Sequence, residues 1–144
     1  MKKLKFNKEF KPLPSEEGEE FYPNGYFEFN VSKMMAFIRS NPDKFSVGEV
    51  EVDELPSITT DHLDESTIQK ADLSNPILLA EISPGRFNVV DGNHQLEKAR
   101  RQGDEKILAY RIGPDHHVSF LTAEKSYKAY VEYWNDKVDV LSSR

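Results

Sequence analysis

The chain contains no cysteine, which removes disulfides, thiolate zinc sites, iron–sulfur clusters and cysteine nucleophiles from its chemistry. It also lacks a long apolar run. Charged residues make up 31% of the sequence against 38% hydrophobic, and no stretch approaches the roughly 20 apolar residues a membrane-spanning helix needs. The start, Met1-Lys2-Lys3-Leu4-Lys5-Phe6-Asn7, is positive as in a signal peptide, but no apolar segment follows it, so a cytoplasmic location is expected. A cationic excess is missing too: 19 Lys+Arg against 25 Asp+Glu leave a formal net charge of −6, so DNA is a partner the charge does not favour. The nearest thing to a basic stripe is Lys98, Arg100 and Arg101 on one predicted helix. Such a group is also the ordinary solvated face of an amphipathic helix.

What is present suits one globular domain, since 144 residues can bury a core without metals or disulfides. Residues 1–20, lysine-rich and then acidic, with Pro12, Pro14, Gly18 and the run Glu16-Glu17-Gly18-Glu19-Glu20, bury too little apolar surface to order themselves and predict a flexible arm. Residues 21–144 form the expected single domain. Phe21-Tyr22-Pro23-Asn24-Gly25-Tyr26-Phe27 carries an Asn-Gly turn signal between aromatic residues and predicts a small hairpin. Val31, Met34, Met35 and Ile38 then recur at helical spacing, with Asn30 or Ser32 as the cap and Asn41-Pro42 as the stop. The paired methionines fit core packing better than an adaptable binding face.

Residues 47–52 alternate as a half-exposed strand ended by Glu54-Leu55-Pro56. A short helix is expected near 64–70, capped by Asp61 or Asp64, before Asn75-Pro76 resets the backbone. The clearest stretch follows: strand Ile77-Leu78-Leu79-Ala80-Glu81-Ile82, turn Ser83-Pro84-Gly85-Arg86, and strand Phe87-Asn88-Val89-Val90 running into Asp91-Gly92. A helix over 93–102 turns Leu96 and Ala99 inward and ends at Gly103. A strand over 106–112, a loop with His116 and His117, and a last helix over about 122–138 capped by Thr122 complete the chain. Tyr127, Tyr130, Val131, Trp134 and Val138 share one face of that helix, and with Tyr133 they suit core packing better than a base-stacking platform. Mixed strands and helices of this order predict an α+β fold, or mixed α/β, with a small mixed sheet flanked by helices.

Chemistry concentrates at Asp91-Gly92-Asn93-His94-Gln95. A strand ending at a glycine where a helix begins offers unpaired N–H donors and partial positive charge, which together suit an anion. Asn93 and His94 add side-chain donors, and the histidine can move a proton near neutral pH. The same residues also read as an ordinary junction, with Asp91 or Asn93 capping the helix and His94 bonded locally. Glu54, Glu65 and Glu81 are candidate general bases or magnesium ligands if the fold brings them near His94. Asp115-His116-His117, with only His62 and His94 as further histidines, is a weak candidate metal cluster.

The run Pro76-Ile77-Leu78-Leu79, the hairpin, Asn88 to Arg100 around the Asp91-Gly92-Asn93-His94 turn, Gly103, and Ile107-Leu108-Ala109-Tyr110 together resemble the ParB/sulfiredoxin superfamily over about residues 47–113. The resemblance implies a nucleotide-binding core with a phosphate site at Gly92, Asn93 and His94, and Asp91 orienting the turn or helping to hold a divalent cation. It also implies magnesium with a nucleoside triphosphate as the cofactor pairing, with His94 and Glu54 as candidate catalytic residues. Nucleotide hydrolysis, phosphoryl transfer and DNA cleavage are the implied activities. Two positions depart from the pattern: Asn93 stands where sulfiredoxins place a nucleophilic cysteine, and Gln95 where the related nucleases keep an arginine. Cysteine-dependent sulfinic acid repair is thereby excluded. Loss of the arginine removes a charge-assisted phosphate contact, roughly twice as strong as a neutral one, unless Arg86, Arg100 or Arg111 supplies it. The expected function is therefore nucleotide or phosphate binding at this turn, with hydrolase or phosphotransferase activity conditional on it. A non-catalytic protein-interaction module and a DNA nuclease are the alternatives.

Overall fold

A computed structural model describes residues 2–25, 27–56 and 63–143. Tyr26 of the first turn, Asp61 as an alternative cap and His62 as a further histidine ligand lie outside the described residues. The fold is α+β, with sheets of two and four strands. β1 (Phe21–Asn24) and β2 (Phe27–Asn30) form the antiparallel hairpin, and α1 (Val31–Ser40) follows directly, capped by Asn30, whose side chain accepts from the Lys33 N–H. β3 (Gly48–Glu51) leads through a short 3-10 turn to α2 (Glu65–Lys70), capped by Asp64. β4 (Ile77–Ser83), β5 (Arg86–Asp91), α3 (Asn93–Gln102) and β6 (Lys106–Ile112) come next. The single turn α4 (Pro114–His117) and the long α5 (Glu124–Ser142) end the chain.

The larger sheet has the order β3-β6-β4-β5. β4 pairs antiparallel with β5 and parallel with β6, while β3 closes the other edge antiparallel to β6. As a central strand with helices on both sides, β4 is buried on both faces over Ile77–Ala80, which explains the apolar run there before Glu81. On one face Leu78, Ala80, Ile82, Val90 and Ile112 pack with Met34, Met35 and Ile38 of α1 and with the Tyr127, Tyr130 and Trp134 face of α5. On the other, Ile77, Leu79, Val89, Ile107 and Ala109 cover Leu96 and Ala99 of α3. Among the described residues no helix is long and apolar enough to cross a membrane.

Two expectations are corrected at the ends of the chain. Thr122 does not cap α5: the cap position is Ala123, without a side-chain bond, because the Thr122 hydroxyl donates instead to the Glu28 carboxylate at 2.8 Å. The first segment, expected as a flexible arm, lies against α5. Phe10 stacks on Tyr127 at 4.1 Å between centroids, the Trp134 indole donates to the Lys2 carbonyl at 2.8 Å, and Asn135 bonds both backbone groups of Leu4. Glu19 is tied as well, accepting from the Asn30 amide and pairing with Lys33 at 3.0 Å. Composition understated this segment because its order comes from matching the polar tips of distant aromatics rather than from a core of its own. Phe10→Ala is expected to lower unfolding stability by about 1–2 kcal/mol, read as the urea midpoint; an unchanged midpoint would show that the docking contributes nothing.

Candidate ligand site at the start of helix α3

β5 ends at Asp91 and α3 starts at Asn93, so Gly92 alone turns the chain. It has φ 101° and ψ 23°, a left-handed conformation that glycine adopts without a Cβ penalty. Packing imposes a second constraint, since a Cβ here would lie 2.5 Å from Cγ2 and 2.8 Å from Cβ of Ile77. The fold itself therefore demands this glycine, and the volume a side chain would fill is occupied by β4 rather than left for a ligand.

What the turn leaves open is the end of the helix. No side chain caps α3, so the capping by Asp91 or Asn93 that the sequence allowed does not occur. The first helical bond runs from the Leu96 N–H to the Gly92 carbonyl at 2.9 Å, which leaves the N–H groups of Asn93, His94 and Gln95 without intrahelical acceptors. Asp91, Gly92, Asn93 and His94 line one wall of a cleft of about 420 Å³, and Glu20, Phe21, Tyr22, Pro23 and Leu63 line the rest. Gln95 falls outside that lining.

The side chains define what the cleft can hold. His94 Nε2 accepts from the Asp64 N–H at 3.2 Å, so the neutral ring carries its proton on Nδ1 and presents it as a donor. Asp64 in turn caps α2 through Thr67, and those Thr67 hydrogen bonds, with a smaller contribution from His94, hold its carboxyl below the usual range. Asn93 Oδ1 is buried with no hydrogen-bond partner among the described residues, a cost of about 1–3 kcal/mol that a ligand donor would remove. The Asp91 carboxyl is pushed up, first by burial and then by the Glu20 carboxylate, with the Gly92 N–H and Arg39 opposing. Glu20 and Asp91 thus face the same space as the helix donors. A bare anion there meets their repulsion; a magnesium ion, which binds through one or two carboxylates plus ligand phosphates, turns it into attraction. Among the described residues no cluster of three or more His, Asp or Glu side chains is assembled, so the remaining ligands of such an ion would be phosphate and water.

Other candidates lie elsewhere. Glu54 is exposed and lines a separate cleft with Glu51, Phe87 and Arg111. β3 and β5 are opposite edges of the sheet, roughly 14 Å apart at about 4.8 Å per strand, and Glu54 follows one while His94 follows the other. Glu81 accepts from the Gly85 N–H, and Glu65 pairs with Arg101. None of Arg86, Arg100 and Arg111 lines the α3 cleft; Arg100 donates to the carbonyls of Leu55 and Pro56. Lys98 donates to the carbonyls of Gln69 and Ala71 at the end of α2, and Arg101 binds Glu65 and Glu97. All the cations of the supposed basic stripe are thus engaged within the protein. His116 rests on Phe37 and Phe45, while His117 is fully buried. Sequence reasoning missed Glu20, Tyr22 and Arg39, because only the packing of the first hairpin and α1 brings them to the turn.

Fold and cleft together define an α+β domain with a ligand-sized cleft at a strand–glycine–helix junction. Comparison of the chain with protein-family models, with characterised proteins and with solved structures finds no match.

Proposed function

We propose that the protein is a ParB/sulfiredoxin-like domain of the cytoplasm that binds a nucleoside phosphate with magnesium in the cleft at the start of α3. The observation that carries this reading is the uncapped first turn of α3 opening beside His94 and the unpartnered Oδ1 of Asn93. The N–H groups of Asn93 and His94 and the His94 Nδ1–H donate to phosphate oxygens, and a half-turn of the Asn93 amide adds Nδ2 as a further donor. Asp91 and Glu20 hold the magnesium, whose chemistry is to neutralise phosphate charge. Tyr22 and Phe21 on the opposite wall offer ring faces to a base. The resemblance of residues 47–113 to a nucleotide-binding family supports the same ligand class.

Binding is the primary activity in this reading. His94, fixed by Asp64 with its proton on Nδ1, is a donor in its neutral state rather than a base, and Glu54 lines a different cleft. In hydrolysis or phosphoryl transfer the neutral His94 would serve as a hydrogen-bond donor to the phosphate rather than as a general acid. The nuclease reading receives no support from Lys98, Arg100 and Arg101, which are engaged internally.

Titration calorimetry with ATP, CTP and GTP tests the proposal. Saturable binding by at least one nucleotide is expected with magnesium, weakened about tenfold or more in Asp91→Asn or without the metal, a loss near 1.4 kcal/mol. No heat with any of the three at protein concentrations suited to micromolar affinity, or binding indifferent to magnesium and to Asp91→Asn, would overturn it.

A further inference from the structure

We infer a second ligand site, for a small organic anion, in the cleft between the β4–β5 turn and the C-terminal half of α5. The cleft encloses about 380 Å³, a volume typical of small-molecule sites. Arg86 from the turn and Lys137 from α5 line it, and no carboxylate does, in a chain with 25 Asp+Glu and 19 Lys+Arg. Among the described residues neither cation forms an ion pair, in contrast to the engaged cations of α3. The Lys137 ammonium sits 5.5 Å from the centroid of the Tyr133 ring, which lines the same cleft.

A third feature is independent of charge. Ser83 is only 7% exposed yet belongs to the lining, and among the described residues its hydroxyl makes no hydrogen bond. That hydroxyl is open to the cleft rather than sealed in the core, and so is available to a ligand there. The remaining wall combines the side-chain amides of Asn24 and Asn88 with apolar groups, among them Val140, which is 54% exposed. The chemistry that fits is a carboxylate or phosphate monoester paired with Arg86 and Lys137, accepting from or donating to Ser83, with a ring or short aliphatic body against Tyr133 and Val140. Charge-assisted contacts of this kind are the strong ones. This site stands apart from the α3 cleft, and neither proposal depends on the other.

An NMR titration of the full chain with benzoate, and with benzyl alcohol as its uncharged counterpart, tests the inference. Saturable shifts of the Ser83, Arg86, Asn88 and Lys137 amides are expected with benzoate. Arg86→Gln or Lys137→Gln should weaken them about tenfold while leaving the rest of the spectrum in place, and benzyl alcohol should bind far more weakly. Shifts that map elsewhere, do not saturate, persist unchanged in both variants or are matched by benzyl alcohol would overturn it.

Discussion

Acidification from pH 7 to pH 4 is expected to remove about 3 kcal/mol of folding stability through His117 alone. The ring is fully buried, with its Nε2–H donating to the Glu81 carbonyl at 2.7 Å, and Nδ1 has no partner among the described residues. Phe29 and Tyr130 meet it edge-on. Burial, only partly offset by the Glu81 carbonyl, lowers its pKa from 6.5 to about 4. Above pH 6.5 the ring is neutral in both folded and unfolded chains, and its contribution is fully present. Below that the unfolded chain takes up a proton that the fold refuses, so the loss reaches about 2 kcal/mol by pH 5 and about 3 by pH 4.

Carboxylates act lower on the scale. Glu19, Asp64, Glu65 and Asp72 are all held below their usual ranges by hydrogen bonds, so their contributions fade only as pH falls through the acidic range. Asp91, pushed up by burial, acts in the opposite sense. Urea midpoints measured between pH 7 and pH 5 on the parent and on His117→Gln together separate the histidine from Asp91, which is common to both. His117→Gln should start less stable but lose little over that interval. A variant that falls as steeply as the parent would contradict the assignment.

Gly92→Ala should cost about 3 kcal/mol or more. The methyl group must adopt φ near 101° and enter the van der Waals space of Ile77, with Ile77 Cα only 3.1 Å away. A side chain can rotate; that Cα belongs to the buried first residue of the central strand. Adding Ile77→Ala to Gly92→Ala relieves the Cγ2 contact but neither the Cβ and Cα approaches nor the backbone strain, so the pair should be somewhat less damaging than the sum of its parts. Strict additivity would mean that the close approach carries no energy. Either way, the glycine of this motif is accounted for by folding, and the case for a ligand rests on the uncapped helix and its neighbours.

Local pattern made much of this legible. The hairpin, Gly92, the helix with Leu96 and Ala99 inward and Gly103 at φ 75°, and the buried face of α5 all follow from short-range spacing. The misread features are long-range. Thr122 has the chemistry of a cap, but Glu28, 94 residues away in sequence, takes its hydroxyl. Glu54 and His94 look compatible until strand order places them at opposite edges. The acid that does share the cleft, Glu20, sits in a segment whose composition argued for disorder. Lys98, Arg100 and Arg101 read first as a solvated helix face and only second as a basic stripe, and only the positions of α2 and residues 55–56 reveal their engagements. Lys137 gave no signal, and Arg86 was weighed only as a phosphate contact for the α3 turn, because an uncommitted cation is recognisable only once its surroundings are known.

The central claim is that the first turn of α3 receives phosphate. A crystal structure of the protein grown with a nucleoside triphosphate and magnesium tests it most directly. The account predicts phosphate density within hydrogen-bond distance of the Asn93 and His94 N–H groups and a magnesium ion between that phosphate and Asp91. A nucleotide bound instead beside Arg86 and Lys137, or an α3 cleft empty at saturating ligand, would contradict it.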